Sequence, residues 1–152
     1  MNQSIFDRVA RYVAIRERSE FEVRNYLKRK QASETEIEAV IQKCIRMKLI
    51  NNKRFAQSIL RQTLEYRKKG KSLLLLKLKM AGLDSSLISE TLGEVTKDQI
   101  AQALRLRAQK YTPKLARYPE NQHKLRLANH LSRAGFNASE IWSFIDDWAK
   151  TE

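Results

Sequence analysis

The chain has 152 residues, 42% hydrophobic and 31% charged, with four Gly, two Pro, one Cys and a net charge of +13. That length suits one domain or a few small repeats around a substantial core. The scarcity of Gly and Pro excludes a turn-rich β fold, and the lone Cys44 excludes an internal disulfide framework, which fits a reducing, cytoplasmic setting.

Residues 1–15 form an amphipathic stretch interrupted by Asp7, Arg8 and Arg11, which reads as neither a signal peptide nor a membrane span. Ile5, Phe6, Val9 and Val13 follow helical spacing there. Ser19 with Glu22, and Ser33 with Glu36, then carry the capping-box spacing that opens two further helices. In the second of these, Ile37, Val40, Ile41, Cys44 and Ile45 make one broad apolar stripe.

Phe55, Ile59, Leu60 and Leu64 predict the next helix, expected to run on to about Lys69. Gly70 is placed where a chain reversal is needed and Gly82 where the following helix ends, each able to take φ > 0 at little cost. Asp84 starts a short helix ending near Gly93. Thr96 with Gln99 is another capping box, followed by the stripe Ile100, Ala103, Leu104 and Ala108. Pro113 and Pro119 bracket a break at 111–120 that reads as a flexible joint. Leu127, Leu131 and Phe136, then Ile141, Phe144, Ile145 and Trp148, complete the pattern.

Three segments, 23–41, 74–92 and 127–145, align without gaps at offsets of 51 and 53 residues. Val23, Leu74 and Leu127 match, as do Leu27, Leu78 and Leu131; Ile37, Ile88 and Ile141; and Ile41, Leu92 and Ile145. Ser33, Asp84 and Asn137 stand at one shared N-cap position. The expected architecture is all-α, three tandem three-helix repeats over 1–50, 51–95 and 96–152, elongated or curved.

The positive charge is uneven. Residues 51–80 hold nine Lys or Arg against Glu65, and 97–126 hold eight against Asp98 and Glu120. A solvated face does not require such uniform sign, so a polyanion or an acidic partner surface is expected. The candidate basic face comprises Arg54, Arg61, Arg67, Lys68, Lys69, Lys71, Arg105, Arg107, Lys110, Lys114 and Arg117. On the leucine-rich helix, Leu73, Leu76 and Met80 form a second stripe, either packed between neighbouring units or free as an apolar docking patch.

Catalytic and metal chemistry find little support. His123 and His130 lie two turns apart without the further ligands a metal needs. Cys44 sits on an apolar stripe and reads as a core thiol, while Asp146 and Asp147 point in different directions on a helix. Gly70-Lys71-Ser72 lacks the upstream glycine of a phosphate loop. No enzyme, cofactor or metal site is expected. The helices that would enter a DNA groove begin acidic or neutral, which argues against base readout.

Ala14-Ile15-Arg16-Glu17-Arg18-Ser19 with Val23 and Leu27 resembles the opening of RecX, the bacterial modulator of the RecA recombinase. Asn51-Asn52-Lys53-Arg54-Phe55-Ala56 followed by Arg67 and Gly70 resembles its middle, and Lys110-Tyr111 with 127–136 its last unit. The resemblance covers essentially the whole chain. It implies a cytoplasmic, monomeric, non-catalytic protein of three-helix repeats, acting in DNA repair and the SOS response. Such a protein docks in the groove of the RecA–single-stranded DNA filament and suppresses strand exchange, ATP hydrolysis and coprotease stimulation. It also implies binding to DNA, single- or double-stranded. The chain departs from the family pattern at Lys69-Gly70-Lys71, where a Tyr-Gly-Pro-like turn is usual, at Leu73, Leu75 and Leu76, and at the Asn that opens the Phe55 motif. The other reading of the residues is a non-specific nucleic-acid-binding helical module unrelated to RecA.

Overall fold

Repeated caps and helical apolar stripes fold, in the computed structural model, into α-helices joined by short turns. The structure describes residues 3–151; Met1, Asn2 and Glu152, which the first and last repeat units include, lie outside the described residues. The helices are α1 (Gln3–Ile15), α2 (Glu20–Arg29), α3 (Glu34–Arg46), α4 (Asn52–Arg61), α5 (Lys71–Met80), α6 (Ser85–Gly93), α7 (Lys97–Tyr111), α8 (His123–Arg133) and α9 (Ala138–Thr151). A π-helical turn, Gln62–Tyr66, follows α4, and two 3-10 turns, Thr112–Arg117 and Glu120–Gln122, join α7 to α8. Among the described residues there is no strand. The fold is all-α, and the alternating run Leu76-Lys77-Leu78-Lys79-Met80 lies within α5.

The caps act as their spacing predicts. Ser19, Ser33 and Thr96 each accept a hydrogen bond from the backbone N–H three residues on, and Glu22, Glu36 and Gln99 return it. Asp84 accepts from the Leu87 N–H at 2.8 Å. Asn137 and Glu140 bond reciprocally at 2.8 and 2.9 Å, a capping box built on Asn. Three of the four positions matched by the internal alignment share burial, while at the fourth Leu92 is half-buried where Ile41 and Ile145 are buried. Val23, Leu74 and Leu127, and Leu27, Leu78 and Leu131, are all fully buried. Ile37, Ile88 and Ile141 are buried too.

Backbone handedness repeats with the same period. Gln31, Gly82 and Gly135 occupy one aligned position, just past α2, α5 and α8, and have φ of 63°, 72° and 100°. This is the left-handed residue that commonly terminates a helix. Gly70 differs from expectation, since its φ is not positive; the reversal before α5 is made by Lys68, with φ 54°. Glycine is required at 70 for space instead. A Cβ there would collide with the Gly135 carbonyl and lie 2.6 Å from the Phe136 nitrogen.

Two compact units emerge. The first comprises residues 3–58 with Leu78–Ile88. Its core is Phe6, Val9, Val23, Leu27, Ile37, Val40, Ile41, Cys44 and Ile50, where α1, α2 and α3 pack on one another. Burial pushes the Cys44 thiol up to about 11, as a core thiol requires. Ser19 Oγ donates to the Ala81 carbonyl at 2.7 Å, and the Phe21 ring lies against Gly82.

The second unit comprises Ile59–Lys77 with residues 89–151. Here α7 packs on α8, α9 and the π-helical turn. Gly70 N–H donates to the Ala134 carbonyl at 2.8 Å, Ser72 N–H donates to the Gly135 carbonyl at 3.1 Å, and Leu73 lies against Gly135. The aligned positions 19 and 70 thus meet the aligned positions 81 and 134, so one junction is built twice. Two local expectations change. Regular helix stops at Arg61, because the π-helical turn opens the ladder and Arg67 N–H bonds back to the Gln62 carbonyl. The break at 111–120 is no free joint: its first part is a 3-10 turn anchored by Leu115, which is 2% exposed.

Candidate nucleic-acid and partner interface

Ten of the eleven candidate basic residues fall in the second unit; Arg54 falls in the first. Arg54 is half-buried and bound to Glu17 through Nε at 2.6 Å, which makes it part of the first unit's own framework. Its neighbour pair, Arg16 and Glu22, closes at 2.8 Å. Burial pushes the Glu22 carboxyl up, but hydrogen bonds from Arg16 and the Ser19 N–H, with the Arg16 and Arg18 charges, outweigh it and hold the group below the usual carboxylate range.

In the second unit the link before α5 is the organising feature. Arg67 is exposed, and Lys68 and Lys69 are half-buried. Lys69 N–H donates to the Thr63 carbonyl at 2.8 Å. Arg107, from α7, donates through Nε to the Lys68 carbonyl at 3.0 Å and through Nη2 to the Arg67 carbonyl. A guanidinium with two carbonyl acceptors keeps its charge while fixing the link, so the cations of 67–71 and those of α7 are held in one arrangement. Lys71 is half-buried in the first turn of α5. Lys77, also on α5, joins this group: burial, then the charges of Arg67 and Lys69, hold its ammonium below the usual lysine range.

A second group lies around His130. Its ring stacks on Tyr111 with centroids 4.0 Å apart and planes 4° from parallel. Burial, then the charges of Arg107, Arg133 and Lys114, hold the imidazole below the usual histidine range. Arg107, Tyr111 and Lys114 stand at i, i+4 and i+7, one face of α7 extended into the 3-10 turn. Arg105 is two residues from Arg107 and does not share that face; it hydrogen-bonds Gln102 at 2.7 Å. Arg61, Lys110 and Arg117 are exposed. His123 Nε2–H donates to the Tyr118 carbonyl at 3.0 Å, and Arg126 lies 3.4 Å above the Tyr118 ring.

The apolar stripe divides. Leu73 is half-buried on Gly135, whereas Leu76 is 51% and Met80 71% exposed. Lys77, Arg133, His130 and Tyr111 were not among the predicted surface residues. Arg133 had a legible signal, since it stands three residues from His130 on one helix face. The Tyr111–His130 stack had none, because α7 and α8 meet only in the tertiary structure. No helix among the described residues is long and apolar enough to cross a membrane.

Residues 6–44 match the family model described as RecX, first three-helix domain. A regulatory protein RecX from Bacillus velezensis is 31% identical over 131 residues, covering 86% of this chain and 50% of that protein. One from Staphylococcus aureus (strain JH9) is 25% identical over 146 residues, covering 96% of this chain and 53% of that protein. The chain therefore spans about half the length of the curated relatives it matches. A crystal structure of RecX from Lactobacillus salivarius superposes with a TM-score of 0.82 at 22% identity, covering 95% of this chain and 94% of that one. A second RecX crystal structure superposes with a TM-score of 0.80 at 23% identity, covering 95% and 71%. These structural likenesses establish the fold.

Proposed function

We propose that this chain, as a member of the RecX family, is a non-catalytic inhibitor of RecA that binds the groove of the RecA–single-stranded DNA filament. There it suppresses recombinase, ATPase and coprotease activities in DNA repair and the SOS response, as a cytoplasmic monomer. The relatives' name, regulatory protein RecX, supports a regulatory role; the choice of RecA follows from the family resemblance. The three-unit division at 50 and 95 is part of the same reading. Shared burial at three of the four matched positions supports it, although the compact units cut across its middle member.

The observation that carries the reading is the Arg107 clamp. Arg107 ties the Arg67–Lys69 link to α7, so cations from 67–77 and from 107–133 present one sign over one unit. A polyanion held against such a surface releases counterions, so affinity falls steeply with salt. The direct test is RecA ATPase dependent on single-stranded DNA, with and without the chain. Inhibition at stoichiometric levels is expected, weakening as salt rises. Unchanged ATPase, together with tight binding to bare DNA, would replace this reading with a non-specific nucleic-acid-binding module.

A further inference from the structure

Most of the basic surface is exposed and solvated, but one part of it is built differently. His130 of α8 and Tyr111 of α7 are both half-buried and form a nearly parallel stack. The charges that act on the imidazole come from Arg107 on α7, Lys114 on the following 3-10 turn and Arg133 on α8 itself, and all are positive. Neither α9 nor the second 3-10 turn, which also pack on α8, contributes an acid to the ring. Three cations around a half-buried neutral imidazole repel one another and repel its proton. The arrangement is relieved by an anion, and the two rings offer a planar face beside it.

We propose that Tyr111 and His130, with Arg107, Lys114 and Arg133 around them, form a subsite for one nucleotide of single-stranded DNA. The rings extend a stack with the base, and the cations take the adjacent phosphate. Single-stranded DNA fits better than duplex, whose bases are already stacked, and better than an acidic protein segment, which has no planar group to offer. Sequence preference is expected to be weak, because every base has a stacking face. The phosphate also offsets the repulsion around His130, so the ring takes up a proton as DNA binds. Affinity then increases on acidification through the histidine range. The inference rests on the proposed contact with the RecA–DNA filament and names the group that makes the DNA part of it.

The test uses the full chain and a rhodamine-labelled oligo-dT of about twenty nucleotides, followed by anisotropy at fixed salt. Between about pH 7.5 and about pH 6 the wild type should tighten by roughly threefold or more, and His130→Gln should be flat. Tyr111→Leu should weaken binding about five- to tenfold. Arg133→Gln and Lys114→Gln should each weaken it more than Arg29→Gln, an exposed cation in the first unit. Far-UV circular dichroism checks folding. Should His130→Gln unfold, binding enthalpies of the wild type in two buffers of different ionisation enthalpy report proton uptake directly.

Binding without proton uptake would overturn the subsite, as would equal losses from Arg133→Gln and Arg29→Gln. Displacement by poly-glutamate as effective as by unlabelled oligo-dT would overturn it in favour of an acidic protein segment. RecA ATPase separates the two proposals. Inhibition without His130-linked DNA binding removes the subsite alone, and His130-linked binding without inhibition removes the RecA reading alone.

Discussion

Replacing Gly70 by Ala tests the junction that organises the second unit. In open space at an ordinary φ, this change stabilises a protein by about 0.4–1 kcal/mol, because the unfolded chain loses freedom. Gly70 has an ordinary φ, so no backbone strain opposes it. What opposes it is backbone: the added Cβ would collide with the Gly135 carbonyl and stand 2.6 Å from the Phe136 nitrogen. Neither atom can swing aside as a side chain would, so the two segments must part by about an ångström. That movement strains the bond from Gly70 N–H to the Ala134 carbonyl at 2.8 Å and the bond from Ser72 N–H to the Gly135 carbonyl at 3.1 Å.

Each bond contributes about 0.5–1.5 kcal/mol net, and overpacking costs about 1–3 kcal/mol more. After the entropic gain, a net loss of roughly 2–4 kcal/mol is expected. Gly93→Ala is the control: it lies at the end of α6, where an added Cβ would meet no described residue within 4 Å beyond its chain neighbours and its own helix backbone, and it has no positive φ. It should stabilise by up to about 1 kcal/mol. Thermal melts by circular dichroism should separate the two, at about 2–4 °C per kcal/mol for a chain of this size. A Gly70→Ala melt within about 2 °C of the wild type would refute the reasoning, and so would a Gly93→Ala chain as damaged as Gly70→Ala.

Other expectations follow from single side chains. Thr63 is fully buried in the π-helical turn, and its Oγ1 has no hydrogen-bond partner among the described residues. Thr63→Val keeps the shape and removes the unpaired hydroxyl, so urea unfolding should show a gain of about 1 kcal/mol; a loss of similar size would mean the hydroxyl is satisfied in solution. Leu73→Glu should lower the melting temperature, because Leu73 packs on Gly135, whereas Leu76→Glu should leave stability within about 0.5 kcal/mol. If Leu76→Glu weakens partner binding at unchanged stability, the exposed part of the stripe is a contact; if it collapses the melt, the stripe is core throughout. His130 sets a pH dependence of stability in the free chain. Its folded pKa lies below its unfolded value of about 6.5, so in that interval the unfolded chain holds more protons. This contribution is intact above about pH 6.5 and is lost as the pH falls through the interval, and His130→Gln should flatten that part of the curve.

The site was less legible in the sequence than the fold. The windows 51–80 and 97–126 identify where positive charge accumulates, but a window does not distinguish faces. Arg54 and Arg67 fall in the same window, yet Arg54 is held by Glu17 while Arg67 is exposed beside Lys77. Arg105 and Arg107 are two residues apart, and only Arg107 reaches back to the carbonyls of 67 and 68. A charge run records composition, whereas a binding surface depends on which way each long side chain is drawn by local partners.

What the sequence determined by itself is what depends on neighbours a few residues away. Helix starts at Ser19, Ser33 and Thr96 were readable because a cap needs one side chain and one backbone N–H within the same turn. The buried positions of the three aligned segments were readable because the helical period puts them on one face. Only the tertiary structure decided why Gly70 is glycine. The reason is a carbonyl 65 positions further along, and local pattern offered φ > 0 instead. The same holds for the Tyr111–His130 stack and for Arg107, whose role appears only when α7 is laid against the link before α5. Those contacts join segments far apart in the chain, and no period or spacing within either segment encodes the other.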